Sequence, residues 1–112
     1  MYTVIEQWTP RSEFLDASPE EREALFGAVG AELPRLEAAG VTCLGWSATE
    51  PVPNGTAHGW VAVWQMTDSA AVTQFFEAVE AAGWYEYFDQ DNTLGELVPV
   101  PQVLEQLMRL RP

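Results

Sequence analysis

His58-Gly59-Trp60-Val61-Ala62-Val63-Trp64-Gln65-Met66 is the stretch on which the fold turns. Its β-branched and aromatic residues follow a turn-forming Asn54-Gly55, so it reads as a β-strand. A strand sends alternate side chains to opposite faces, which puts His58, Trp60, Ala62, Trp64 and Met66 on one side and Gly59, Val61, Val63 and Gln65 on the other. Both sides are mostly apolar. A sheet with one face in water alternates apolar with polar residues, so this strand is expected to be covered front and back.

Upstream, Pro51, Pro53 and Asn54-Gly55 mark a connecting loop, because proline cannot donate to a sheet ladder. Before it, residues 41–47 read as a second strand weakened at Gly45. A helix precedes that strand. Ser18 caps it, Pro19 suits its first position, and Glu21 completes a capping box. Leu25, Phe26, Val29, Leu33 and Leu36 form its apolar stripe, Pro34 predicts a kink, and Gly40 ends it. Residues 2–8 open the chain as a strand, with Tyr2, Val4, Glu6 and Trp8 on one face.

Downstream, Asp68 or Ser69 caps a second helix that buries Val72, Phe75, Phe76 and Val79 and stops at Gly83. Residues 84–90 fit strand and helix alike, and the spacing of Trp84, Tyr87 and Phe88 favours a short helix. A last strand is expected over residues 93–98. Pro101 then opens a final helix with Val103, Leu104, Leu107 and Met108 on its buried side. The order is β-α-β-β-α-β plus a terminal helix: an α+β, ferredoxin-like sandwich in a single domain, residues 1–112. Helices cover only one face of such a sheet. If the tryptophans of residues 58–66 lie on the other, a second copy must bury them, and a homodimer follows.

Seventeen Asp and Glu stand against five Arg, with no Lys, for a net charge of −12. A chain this acidic offers no basic face to phosphate, so neither nucleic acid nor an anionic membrane is an expected partner. The lone Cys43 excludes an intramolecular disulfide and any multi-cysteine metal site. No apolar run reaches the ~18 residues of a membrane span. Residues 1–8 lack the basic start and apolar core of a secretory signal, so a cytoplasmic protein is expected.

The strand and helix order, the sheet apolar on both faces and the aromatic segment after the second helix resemble the dimeric α+β barrel superfamily, which includes antibiotic-biosynthesis monooxygenases and muconolactone isomerases. Val4-Ile-Glu-Gln-Trp-Thr-Pro10, Leu44-Gly-Trp46, Ala62-Val-Trp64, Gly83-Trp-Tyr-Glu-Tyr-Phe88 and Asn92 with Gly95-Glu-Leu97 are similar to a small bacterial family within it. The resemblance implies the fold and its pairing. Catalytic residues differ between families of this superfamily, and none carries over.

The residues themselves nominate Glu6 and His58 as the acid–base pair. Both fall on neighbouring strands, and with faces aligned they point toward Trp8, Trp60 and Trp64. A carboxylate against aromatic surface is desolvated, which raises its pKa toward the range of a general acid or base. The bland alternative is an idle pair at the sheet edge. Tyr85 and Asn92 sit where a segment could line a pocket mouth and orient a ligand. Trp8, Trp60, Trp64, Tyr85 and Asn92 are thus the expected substrate-binding residues. No cofactor or metal is expected, with axial haem ligation by His58 as a minor alternative. Three functions fit: a cofactor-independent oxygenase, isomerase or cyclase for a small hydrophobic or aromatic metabolite, a non-catalytic small-molecule binder, or a dimeric interaction module.

Overall fold

β1 (Tyr2–Pro10), α1 (Ser12–Leu15), α2 (Pro19–Ala38), β2 (Val41–Ala48), β3 (Trp60–Met66), α3 (Ser69–Ala81), α4 (Trp84–Tyr87), β4 (Phe88–Glu96) and α5 (Val100–Met108) follow one another in a computed structural model that describes residues 1–112. The strands form one antiparallel sheet in the order β2-β3-β1-β4. This is the expected ferredoxin-like α+β arrangement with its additional C-terminal helix. No helix is long and apolar enough to cross a membrane.

Local chemistry accounts for the helix starts. The Ser18 hydroxyl accepts the Glu21 amide at 3.1 Å, and Asp68 accepts the Ala71 amide at 2.8 Å, each satisfying a donor that the first turn leaves free. α2 runs on through Pro34, which bears no amide for the Gly30 carbonyl. α1 has no counterpart in the sequence reading. It rests Phe14 on Phe88, with ring centroids 4.8 Å apart, and on the Arg22 guanidinium at 4.4 Å.

The segment that fits both strand and helix is divided between them. α4 takes Trp84–Tyr87 after Gly83 turns the chain at φ 79°, and β4 begins at Phe88, five residues ahead of the expected strand start. β4 extends this far because β1 pairs with it along its whole length, from Tyr2 opposite Glu96 to Pro10 opposite Phe88.

The core lies between the sheet and α2, α3 and α4. Val4, Trp8, Ala62, Trp64 and Met66 from the sheet pack on Leu25, Leu36, Val72, Phe75 and Trp84. The tryptophan side of the sheet is therefore the helix-covered side, and this corrects the expectation that a second copy buries it. The open face carries Thr3, Ile5, Gln7, Val61, Val63 and Gln65, a mixed surface with an apolar centre. α5 also departs from expectation: Val103, Leu104, Leu107 and Met108 are all exposed.

Gly40 links α2 to β2 at φ 101°, and its carbonyl accepts the Thr67 amide at 3.1 Å. A β-carbon there would collide with the Thr67 hydroxyl. Gly40→Ala is expected to cost at least ~1–2 kcal/mol through backbone strain alone, read as a lower urea midpoint with an unchanged slope.

Candidate functional site

Register puts Trp46, Ala62, Glu6 and Asn92 in one row across the sheet, with Trp8 and Gln90 in the next row on the same face. Glu6 is the only buried acid of the chain, at 4% exposure. Each of its oxygens accepts one hydrogen bond. The Trp64 indole donates to Oε1 at 2.7 Å, and the Gln90 amide donates to Oε2 at 2.6 Å.

The orientation of this network follows from its members. An indole N–H can only donate. Trp84 Nε1 donates to Gln90 Oε1 at 2.7 Å, so Gln90 must turn its nitrogen toward Glu6 and toward Asn92 Oδ1, 2.7 Å away. Asn92 then has only its own nitrogen left for the Tyr85 hydroxyl, to which it donates at 3.2 Å. Trp64 and Gln90 thereby fix the carboxyl plane of Glu6, with Trp84, Asn92 and Tyr85 in the chain behind Gln90, and no other protein group donates to it.

Burial raises the pKa of Glu6, and the Gln90 and Trp64 hydrogen bonds pull back against it. Desolvation wins because two neutral donors replace less than the full hydration of a carboxylate. Tyr85 is raised as well, first by burial, with the negative charges of Glu6 and Glu80 adding to it and the Asn92 hydrogen bond opposing.

Glu6 opens onto an apolar cavity of about 30 Å3 walled by Trp46, Trp64, Phe75, Trp84, Val29 and Leu33. A second hollow, of about 120 Å3, shares Val29, Leu33, Leu36, Trp46 and Trp64 and extends to Val41 and Cys43. Trp46 lines both, 47% exposed, with its ring 5.0 Å from Trp8, 5.8 Å from Trp84 and 6.2 Å from Trp64. The aromatic pairs are edge-on, the arrangement that the ring quadrupoles favour.

Of the expected site residues, Glu6 and Trp64 meet in the cavity wall. Trp8 backs it, and Asn92 and Tyr85 extend the hydrogen-bonded chain outward. Trp60 does not take part: it is 44% exposed at the start of β3. His58 does not join Glu6 either. It precedes β3 and turns to the other face, where Nδ1 lies 2.9 Å from Thr9 Oγ1 and Nε2 lies 2.9 Å from Asp91 Oδ2. Both ring nitrogens are thus hydrogen-bonded. Trp46 and Gln90 were not expected. Gln90 falls in the stretch of uncertain secondary structure, and Trp46 follows an irregularity at Gly45.

Trp64→Phe keeps an aromatic ring in place but removes the donor to Glu6 Oε1. The variant is expected to raise the Glu6 pKa further and to lower stability by ~1–3 kcal/mol wherever Glu6 is ionised. In the wild type the folded protein holds the Glu6 proton more tightly than the unfolded chain. The resulting stabilisation is complete below the ordinary carboxylate range and is lost as pH rises through the raised pKa. Urea unfolding across that window should show the wild type losing stability relative to Glu6→Gln, and a parallel profile would contradict the burial effect.

Among solved structures, a protein from Arabidopsis thaliana matches 89% of this chain and 98% of its own, at 16% identity and a TM-score of 0.61. A chlorite dismutase from Candidatus Nitrospira defluvii matches 96% of this chain but only 44% of its own, at 16% identity and a TM-score of 0.69. A VAO-type flavoprotein from Myceliophthora thermophila matches 86% of this chain and 18% of its own, at 21% identity and a TM-score of 0.53. The chain thus spans less than half of that dismutase and about a fifth of that flavoprotein. At these identities the likeness is one of fold alone. No curated protein matches the chain. A family model matches residues 1–110, and the chain belongs to that family, the family of unknown function DUF6616.

Proposed function

We infer that the cavity between α2 and the sheet receives a small, largely apolar metabolite of aromatic shape, and that Glu6 moves a proton on it. The observation that carries this reading is the buried carboxyl: its plane is held by Trp64 and Gln90, each oxygen accepts one hydrogen bond, and the residue lines an apolar cavity. A structural carboxylate is normally surrounded by donors or paired with a cation. Glu6 has neither a cationic partner nor a full set of donors, so its environment favours proton exchange over permanent charge. The reaction class that fits is proton transfer at carbon or oxygen by an isomerase, cyclase or cofactor-independent oxygenase. Trp46, Trp64 and Trp84 supply flat walls, and Tyr85 and Asn92 belong to the positioning chain.

The cavity beside Glu6 has room for only one or two waters, at about 30 Å3. In this reading a ligand enters by displacing Trp46, the most exposed of the aromatic residues that line both this cavity and the 120 Å3 hollow. The same pocket without turnover would be a binding protein, and Glu6 distinguishes the two. The protein works as a homodimer in this reading, joined through the open sheet face. Ile5, Val61 and Val63 form the uncharged centre of that face, the patch that meets its counterpart across a twofold axis in this reading.

A panel of phenols, hydroquinones and small cyclic ketones should quench tryptophan fluorescence saturably in the wild type. Glu6→Gln is expected to keep binding within a few-fold while losing turnover by ~100-fold or more, the scale of a general acid or base. Binding without turnover in the wild type would make the protein a carrier. Absence of any saturable quenching would remove the pocket from consideration.

A further inference from the structure

We propose that residues 97–110 are an arm that leaves its own subunit and lays α5 on the open sheet face of a second copy. This inference rests on the homodimer reading above and adds the element that clamps it.

The arm does not pack on its own chain. Its large apolar side chains, from Leu97 to Leu110, are between 37% and 85% exposed. The chain has a radius of gyration of 16.4 Å and a longest extent of 52 Å, against about 13 Å for the radius of a compact domain of this length. Val100, Val103, Leu104, Leu107 and Met108 recur at spacings of three, one, three and one, which lines them along one side of a helix. An isolated nine-residue helix is marginal in water, so a stripe this apolar implies a surface that it covers. The linker directs it outward: Pro99 holds extended backbone at φ −58° and ψ 144° immediately before the helix.

Charge identifies the occupant. Residues 1–96 carry sixteen acidic side chains against three arginines, whereas residues 97–112 carry Glu105 alone against Arg109 and Arg111. The side chains of the arm carry a net charge of +1 against −13 for residues 1–96, so the arm is attracted to the body of another copy. On that body the open face offers an uncharged apolar groove beside the β2 irregularity, where Leu44, Val61 and Val63 meet. Two copies of a chain with net charge −12 repel wherever acidic surfaces meet, so association is confined to such uncharged ground.

The full-length chain tests this in two ways. Leu104→Asp with Leu107→Asp alters residues that touch no core, so the circular dichroism spectrum should be unchanged while the dimer dissociation constant rises at least ~100-fold. Separately, two chains are mixed in a Cys43→Ser background, one bearing Leu107→Cys and the other Val63→Cys, and treated with a bismaleimide. A linked species of twice the 12.4 kDa chain mass, with the α5 peptide joined to the β3 peptide, is expected. An unweakened dimer or no such link overturns the arm while leaving face pairing intact. A wild type that is monomeric at micromolar concentration overturns both.

Discussion

The carboxyl of Glu6 governs the arrangement around it. A buried acid must find donors or give up its charge, and here two donors come from opposite sides, Trp64 on β3 and Gln90 on β4. β1 lies between those strands, so one side chain ties the three central and edge strands together through their helix-covered face. The partners are themselves constrained. Trp64 packs on Phe75 at 4.9 Å, and Gln90 is held by Trp84, which stacks on Phe88 at 4.2 Å. The hydrogen bonds thus rest on the aromatic core, and their geometry is as rigid as that core.

This coupling explains why α4 is placed where it is. Gly83 turns the chain with a positive φ that a side chain would resist, and a single helical turn delivers Trp84 beneath the sheet. Phe88 then returns the chain directly into β4, two residues before Gln90. The indole that orients Gln90 and the strand that carries Gln90 are thus joined by one short turn. Tyr85 and Asn92 are brought together by the same device.

Much of the fold was legible in the sequence because its signals are local. The Ser18 and Asp68 caps, the Gly40 and Gly83 stops, and the period-two pattern of residues 2–8 each act within a few residues. The orientation of the sheet was not, because β3 is apolar on both faces and parity alone cannot say which one meets the helices. Trp46 escaped notice for a related reason. Simple alternation from Cys43 would send it to the opposite face, but the ladder slips between Cys43 and Gly45, and Cys43 and Trp46 end opposite Trp64 and Ala62 on the same side. The slip occurs where glycine tolerates φ 153°. His58 failed in the converse way: alternation presumes a strand, and β3 starts only at Trp60. α5 was read correctly as amphipathic, while the surface that its stripe faces is not encoded in its own periodicity.

The acidity of the chain also bears on what enters the cavity. Every acid but Glu6 lies outside the core, and their summed field surrounds the mouth at Trp46, where Glu32 and Glu37 stand at the rims of the two hollows. The field of these acids, with Glu32 and Glu37 in the linings themselves, repels anions approaching from solvent. An ionised Glu6 at the end of the path would repel them again in a medium of lower dielectric. A neutral ligand meets neither obstacle, and one with a polarised hydrogen finds in Glu6 the only buried carboxylate that can accept it. In the proposed function the placement of charge therefore disfavours anionic ligands before any contact with the tryptophans has been made.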